Sequence, residues 1–283
     1  MDFPRSRVAA AAFEFLDEAP STNDELVARA VGPDAASWPD LSVIVTDNQT
    51  MGRGRLGRTW LAPTGKALAI SILVRPRLEN GDPLPPAAIG WLPLLAGAAM
   101  TRAVRASVAP FLDRQAARAA EDGPPGEVVV DLKWPNDVLI SGYKVCGVLA
   151  ELLPDGAGAV IGAGLNLSLD EHDLPTLSST SLLLVTGERP DADAILADYL
   201  EAFSSLYRAL LSAGGDPDAS GLRAEVSALC GSLDRRVRVE LPGDRQLLGI
   251  ARSIDADGRL VVENLENGEL QAVAAGDVTH LRY

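Results

Sequence analysis

Arg53, Arg55 and Arg58 alternate with Gly52, Gly54 and Gly57 in the stretch from Asp47 to Trp60, inside a chain whose formal net charge is −14. Glycines let a backbone take positive φ and come close to a ligand, and guanidinium forks match the oxygens of carboxylates and phosphates. The chemistry this suggests is the holding of an anion. The bland alternative is a solvated, flexible surface loop. The glycines also spell G-x-G-x-x-G, the spacing of a dinucleotide-binding turn, which requires a strand before it and a helix after it. A strand-like run from Leu41 to Thr46 does precede it. Pro63 and Gly65 follow, however, and then the apolar run Ala67 to Val74, which reads as a buried strand. Dinucleotide binding therefore fails on context.

A second group of reactive side chains is Lys133-Trp134-Pro135-Asn136-Asp137, followed by Lys144 and Gly147. Taken alone, Trp134-Pro135 is equally a rigid packed turn, and Asn166 a turn residue. Together, QTMGRGRLGRTW, KWPNDVLISGYKVCG and GAGLNL, preceded by Ser21-Thr22-Asn23, resemble the biotin protein ligases, also called biotin–acetyl-CoA-carboxylase ligases. The resemblance runs through nearly the whole chain in the family's order, and the pairing of the arginine loop with the KWPND turn is highly specific.

The resemblance implies an ATP-dependent ligase. The biotin carboxylate attacks the α-phosphate of ATP, giving biotinyl-5′-adenylate and pyrophosphate. The ε-amine of a lysine on a biotin carboxyl carrier domain then attacks the mixed anhydride. Both steps develop negative charge, so positioning and electrostatic stabilisation carry the catalysis. By resemblance Lys144 sits between the biotin carboxylate and the α-phosphate, with Lys133, Arg53 and Arg55 on phosphate and carboxylate oxygens and Arg58 facing the triphosphate. Gln49, Gly52, Gly147 and Gly162 border biotin. Ser21, Thr22 and Asn23 line the same site, their hydroxyls and amide suiting the ureido ring, although unaided they are simply helix caps. Asn166 reads the adenine, Trp60 packs beside it, and Asn136 and Asp137 organise Mg²⁺ and phosphate, directly or through water. Ordering ~10 residues costs roughly 1–2 kcal/mol each. The Gly-rich loop is therefore expected to be disordered until ligand anions engage several arginines, and its closure to retain the adenylate.

The elements that must position these groups follow from periodicity. Phe13 to Asp17 alternates like a short strand, and the residues from Ser21 to Asp24 offer N-caps for a helix over Glu25 to Val31. After the breaker Pro83 to Pro86, Ala87 to Val108 reads as a long apolar core helix whose Trp91 and Met100 are packing residues. Asp113 to Gly126 is polar and Ala-rich; it either extends that helix or forms a mobile insertion, and no chemistry is expected there. Strands are expected over Glu127 to Lys133, Val138 to Ile140, Lys144 to Leu153 and Gly156 to Leu169, with a turn at Ser141-Gly142-Tyr143. Short turns between consecutive strands indicate a meandering, mainly antiparallel sheet packed with helices, an α+β class. The resemblance adds the label class II synthetase-like. Asp191 to Ala213 has a helical period that caps the core.

Composition shifts after Gly231, which sets an expected boundary between a catalytic domain, 1–230, and a small C-terminal domain, 231–283. Strand-like runs at Arg235 to Leu241, Gln246 to Ile254, Arg259 to Glu263 and Glu269 to Ala274 are separated by Pro242-Gly243, Asp257-Gly258 and Asn267-Gly268. The last two are hairpin signals, so a small β-barrel is expected. The resemblance supplies the label SH3-like and a role in closing over ATP or greeting the acceptor; no residue in it stands out.

The chain is long enough for one large core plus a small domain, and its 47% hydrophobic content is ordinary. Cys146 and Cys230 form no C-x-x-C pair, and His172 and His280 are the only histidines, so a disulfide framework, zinc site and catalytic triad are discounted. A reducing cytoplasm fits. No run reaches the ~18 apolar residues of a membrane span, and the acidic balance argues against nucleic acid. Twenty residues precede Ser21, too few for the helix-turn-helix domain of repressor forms, so the monofunctional form is expected, as a monomer or weak homodimer. Two rivals stand beside this reading. A lipoate or octanoate ligase would share fold and chemistry, but its R-R-x-x-G-G-G motif has no counterpart here. A non-catalytic biotin-responsive regulator would have no need of Lys144.

Overall fold

The computed structural model describes residues 2–60, 62–122, 128–241, 245–274 and 276–281. In chain order the larger part comprises α1 (Pro4–Ala9), β1 (Ala12–Phe15), α2 (Thr22–Val31), β2 (Ser42–Thr46), β3 (Ala67–Val74), α3 (Pro86–Ile89), α4 (Leu92–Asp122), β4 (Val130–Lys133), β5 (Asp137–Ile140), β6 (Tyr143–Leu152), β7 (Ala159–Asn166), α5 (Leu182–Thr186), α6 (Ala192–Ser212) and α7 (Leu222–Leu229). The smaller part comprises β8 (Arg236–Leu241), β9 (Arg245–Ile254), β10 (Leu260–Asn264), β11 (Leu270–Val273) and β12 (Asp277–His280). Among the described residues the strands form a seven-stranded sheet, β1-β2-β3-β7-β6-β5-β4, and a five-stranded one, β11-β10-β9-β8-β12. Only the β1–β2 ladder is parallel, so the class is α+β.

Side-chain alternation gives the large sheet two unlike faces. Ile70, Ile72, Ile161, Leu165 and Val148 belong to the main apolar core, shared with α4 and α6. The opposite face of the three central strands carries Ala69 and Ser71 on β3, Gly162 and Gly164 on β7, and Gly147 and Leu149 on β6, aligned as Ala69–Gly164–Gly147 and Ser71–Gly162–Leu149. Further along, this face is covered by α2, with Leu26 and Ala30 packed over Ile44, Leu73 and Val160. One face makes a core; the other leaves a shallow floor.

Helix α2 begins three residues earlier than expected because the cap is Ser21, whose Oγ accepts from the Asp24 N–H at 3.4 Å. This places Thr22 and Asn23 in the first turn, buried against the floor. The long apolar helix also outruns its expected end, passing Pro110 and absorbing part of the polar stretch up to Asp122; Pro124, Pro125 and Gly126 lie outside the described residues, as do Pro242 and Gly243. By length and composition Pro86–Ala117 would pass as a membrane span, which counting uninterrupted apolar residues missed, but 72% of its most apolar window is buried inside the protein.

The small sheet is not set apart by its packing: Val237, Val239, Leu260 and Val262 join the same apolar core as α4 and α6. Two indoles fasten it. Trp91 Nε1 donates to Ala256 O at 2.8 Å and Trp134 Nε1 to Gly258 O at 3.0 Å, gripping the β9–β10 turn from both sides of its Asp-Gly.

Candidate functional site

The floor is open because two glycines lack a side chain. A Cβ at Gly162 would stand 2.5 Å from Asn23 Oδ1, and one at Gly164 would stand 2.7 Å from the Trp60 ring. The first turn of α2 and the end of the arginine loop therefore rest directly on β7. Polar groups of the turn are satisfied by one another, as burial requires. Ser71 Oγ lies 2.6 Å from Asn23 Oδ1 and 2.9 Å from Thr22 Oγ1, and Gln49 Oε1 accepts from the Thr22 N–H at 2.9 Å. Asn23 Nδ2 donates to Glu151 Oε2 at 2.6 Å. These residues surround a first cavity of about 70 Å³.

The arginine loop is a folded hairpin. Trp60 N donates to Gly52 O at 2.8 Å and Gly54 N to Arg58 O at 2.6 Å, with a bridge between Arg53 and Thr59. Its tip is a 3₁₀ turn, Arg55–Gly57, in which Leu56 and Gly57 take φ of 57° and 71°. Each arginine has its own partner. Arg53 donates to both oxygens of Asp24, at 2.5 and 2.6 Å, and to Glu151 Oε1 at 3.1 Å. That hydrogen bonding holds the Asp24 carboxyl below its ordinary value and stabilises the charge on Arg53. Arg55 donates to Asn136 Oδ1 at 2.9 Å and to Gly276 O at 3.2 Å. Arg58 donates to Asp277 Oδ2, an oxygen on β12. Burial works against the charge on Arg55, while Asp137 supports it.

The KWPND turn joins β4 to β5 and is pinned on both sides. Trp134 N donates to Ser232 Oγ at 3.1 Å, and Asn136 Nδ2 donates to Val148 O at 2.8 Å. The same Ser232 hydroxyl is 2.9 Å from His280 Nε2, which ties the turn to β12. Beyond the turn, the β5–β6 register shifts: Val138 faces Cys146 but Leu139 faces Lys144, leaving Val145 as an extra residue on β6. Residues three apart on a strand would point to opposite faces; the bulge turns Lys144 to the side of Gly147. Its Nζ lies 2.6 Å from Asp137 Oδ1, and Lys133 Nζ lies 3.5 Å from Asp137 Oδ2. These groups line a second cavity of about 380 Å³. Gly54, Arg55, Trp60, Asn136, Lys144 and Gly164 line both cavities and form the partition between them.

All the residues expected at biotin line the first cavity except Gly52, and all those expected at ATP line the second except Arg53. Gly52 and Arg53 are placed as follows. Gly52 is buried behind the wall, backed by Gln49 and the Trp60 carbonyl, and serves to close the hairpin. Arg53 lines the first cavity and not the second, paired with Asp24 and Glu151. Asn166 is in place, although its Nδ2 already donates to Thr180 O at 2.9 Å. Asn136 and Asp137, expected to organise Mg²⁺ and phosphate directly or through water, both line the second cavity. The Asn136 oxygen is taken by Arg55, Asp137 lies between two lysines, and no group of three or more His, Cys, Asp or Glu gathers among the described residues. Cys146, beside the second cavity, is fully buried, and burial pushes its thiol up to about 12, leaving it inert. The arginines, expected to await ligand anions, are engaged by the chain's own oxygens.

Sequence reasoning missed Glu151, Asp24 and Asp277. Glu151 had a signal, since Gly147, Leu149 and Glu151 alternate onto one face; Asp277 had none, its contact crossing 219 positions of chain.

Comparison with known proteins fits this geometry. The model of the biotin/lipoate A/B protein ligase family matches residues 20–166, and that of the biotin protein ligase C terminal domain matches residues 232–281. The chain is 38% identical over 264 residues to a biotin–[acetyl-CoA-carboxylase] ligase of Mycobacterium tuberculosis, covering 93% of this chain and 86% of that one. It is 30% identical over 234 residues to a bifunctional ligase/repressor of Bacillus spizizenii, covering 81% of this chain and 63% of that protein. In fold it is similar to a biotin protein ligase from Aquifex aeolicus solved in complex with biotin and ATP, at TM-score 0.69 and 23% identity, over 96% of this chain and 100% of that one.

Proposed function

The chain belongs to the biotin/lipoate A/B protein ligase family, and we propose from that membership that it is an ATP-dependent biotin ligase whose two half-reactions meet at Lys144. Biotin occupies the first cavity and ATP the second. A biotin carboxylate oxygen bonds to the α-phosphorus as the bond to pyrophosphate breaks, giving biotinyl-5′-adenylate. An acceptor lysine on a biotin carboxyl carrier domain of a carboxylase then displaces AMP.

The observation that carries this reading is the shared partition. Lys144 and Arg55 reach both cavities, so their charges act on both anions at the point where these must touch. Lys133 and Arg58 face the phosphates from the second cavity alone, with Trp60 and Asn166 beside the adenine. At the other end Ser21, Thr22, Asn23 and Gln49 present a neutral hydrogen-bonding surface to the ureido ring, on the floor made by Gly147 and Gly162. Mg²⁺ belongs in this reading to the nucleotide, and no step is assigned to it on the chain. The division at 230/231 separates the catalytic domain from a small sheet that contributes Asp277 and Gly276 O to the ATP side.

The test is ATP–pyrophosphate exchange by purified protein with Mg²⁺ and biotin, lipoate or octanoate. Exchange dependent on biotin is expected. Exchange with lipoate or octanoate alone would move the chain to the sister activity, and no exchange with any acid would leave a sensor.

A further inference from the structure

Lys66, immediately before β3, lines neither cavity of the partition, yet it holds the segment that walls the second one. Past β7 the chain runs from Leu167 to Ser181 as a strap, and Pro175, Thr176, Ser178 and Ser179 of this strap line the second cavity. Lys66 grips its beginning with main chain and side chain together. Lys66 O accepts from the N–H groups of Leu167 and Ser168, at 3.1 and 2.8 Å, while Nζ donates to Asp170 Oδ2 at 2.9 Å and to Asp173 Oδ2. That bonding holds the Asp170 carboxyl down at about 2. The other end of the strap meets Lys144. Lys144 N donates to Ser178 O at 2.7 Å, and Thr180 N donates to Lys144 O at 2.8 Å.

We propose that Lys66 is a positioning residue for the reaction, acting through the strap to set the main chain of Lys144. The proposal deepens the ligase reading above and rests on it. Lys144 stands at the β5–β6 register shift, and both of its main-chain groups are engaged by the strap, so the strap decides from where its Nζ reaches the partition. The strap begins with an acidic turn, Asp170-Glu171-His172-Asp173. Lys66 Nζ pairs with two of its carboxylates; without that ammonium they repel each other, and the turn loosens beside a cavity proposed for a polyanion. Transmission is short. Pro175, with its fixed φ, joins the acidic turn to a hydroxyl cluster in which Thr176 Oγ1 lies 3.1 Å from Ser178 Oγ and 2.8 Å from Ser179 Oγ. Movement of the turn therefore passes to Ser178, whose carbonyl holds Lys144. A lone exposed ion pair would contribute little. Here one ammonium closes two carboxylates on a segment whose other end carries the reacting charge, so the effect falls on geometry, where a misplacement of about 1 Å can cost ~10² in rate.

The experiment compares Lys66→Met and Lys66→Arg in the full chain by biotin-dependent ATP–pyrophosphate exchange, each alone and combined with Lys144→Ala. Lys66→Met is expected to lower kcat about tenfold with the biotin KM unchanged, and Lys66→Arg, which keeps the charge, to recover most of the rate. In the Lys144→Ala background Lys66→Met is expected to cost less than about twofold, because the group it positions is gone. An equal loss with and without Lys144 would overturn the proposal. So would full activity of Lys66→Met, or a change confined to the ATP KM, which would put the effect in the cavity wall alone. Should thermal melting find Lys66→Met unfolded, Asp170→Asn removes one of the two ion pairs at an exposed carboxyl. It is then expected to lower kcat about threefold, again only where Lys144 is present, and an undiminished kcat would overturn the proposal. Absence of biotin-dependent exchange in the unsubstituted protein would instead remove the ligase reading, and this proposal with it.

Discussion

The two cavities on either side of the partition share a wall yet are built by opposite means. The first cavity, proposed for biotin, is packed: hydroxyls and amides from the α2 turn lie on a glycine floor fixed by the strand register, beside the Arg53–Asp24–Glu151 cluster. The second cavity, proposed for ATP, is assembled from distant segments by ion pairs, with Arg58 meeting Asp277, and Lys144 meeting Asp137. The difference teaches where each kind of recognition is stored. In the proposed reading, shape for the biotin ring resides in the packed sheet, whereas the cations for the nucleotide are already paired with carboxylates of the chain, with which incoming phosphates would compete.

Removing the group that belongs to both sides should have the largest effect. Lys144→Ala is expected to lower biotin-dependent exchange by ~10²–10³-fold, as for loss of a preorganised charge at a reacting centre, with the protein still cooperatively folded by thermal melting. A loss confined to one substrate's KM would show that the partition is not common ground. Gly162→Ala comes next and should separate the sides. Its methyl meets Asn23 Oδ1 at 2.5 Å, and overpacking of roughly 1–3 kcal/mol should raise the biotin KM about tenfold or more. Steady-state kinetics should find the ATP KM unchanged; equal shifts in both would erase the distinction. The smallest effect is expected at the charged end. Asp277→Asn frees Arg58 from a surface pair worth about 0–1 kcal/mol, so the ATP KM should fall by at most ~5-fold, more at low ionic strength than at high. A rise would mean that β12 holds the ATP side closed rather than competing with the nucleotide.

The same contrast governs what was legible in the sequence. The strand expected over Gly156 to Leu169 is present as β7, Ala159–Asn166; its division into a packed face and an open glycine face emerges from the pairing with β3 and β6. The N-cap choice was ambiguous, because Ser21, Thr22, Asn23 and Asp24 can all cap; the use of Ser21 puts Thr22 and Asn23 in the first turn of the helix, lining the first cavity. Strand β12 was missed, being four residues long and ending a composition otherwise read from hairpin turns. With it went Asp277, the residue by which the small sheet meets Arg58. Ion pairs between distant segments leave no periodic trace, so charge partners were the hardest part of the site to anticipate. Arg53 illustrates this best: its type and loop pointed to phosphate, but Asp24 and Glu151, on other elements, decide where it goes.

Trp60, half-buried on Gly164, gives the molecule an optical property. Of the four tryptophans, Trp91 and Trp134 are sealed in the core with their indole N–H groups bonded to carbonyls, and Trp38 lies beneath the Arg29 guanidinium, 5.4 Å from the ring centroid. None of these three lines either cavity of the partition, whereas Trp60 lines both. An emission change on ligand addition therefore has one natural source, and the chain carries its own intrinsic fluorophore at the junction where its substrates are proposed to meet.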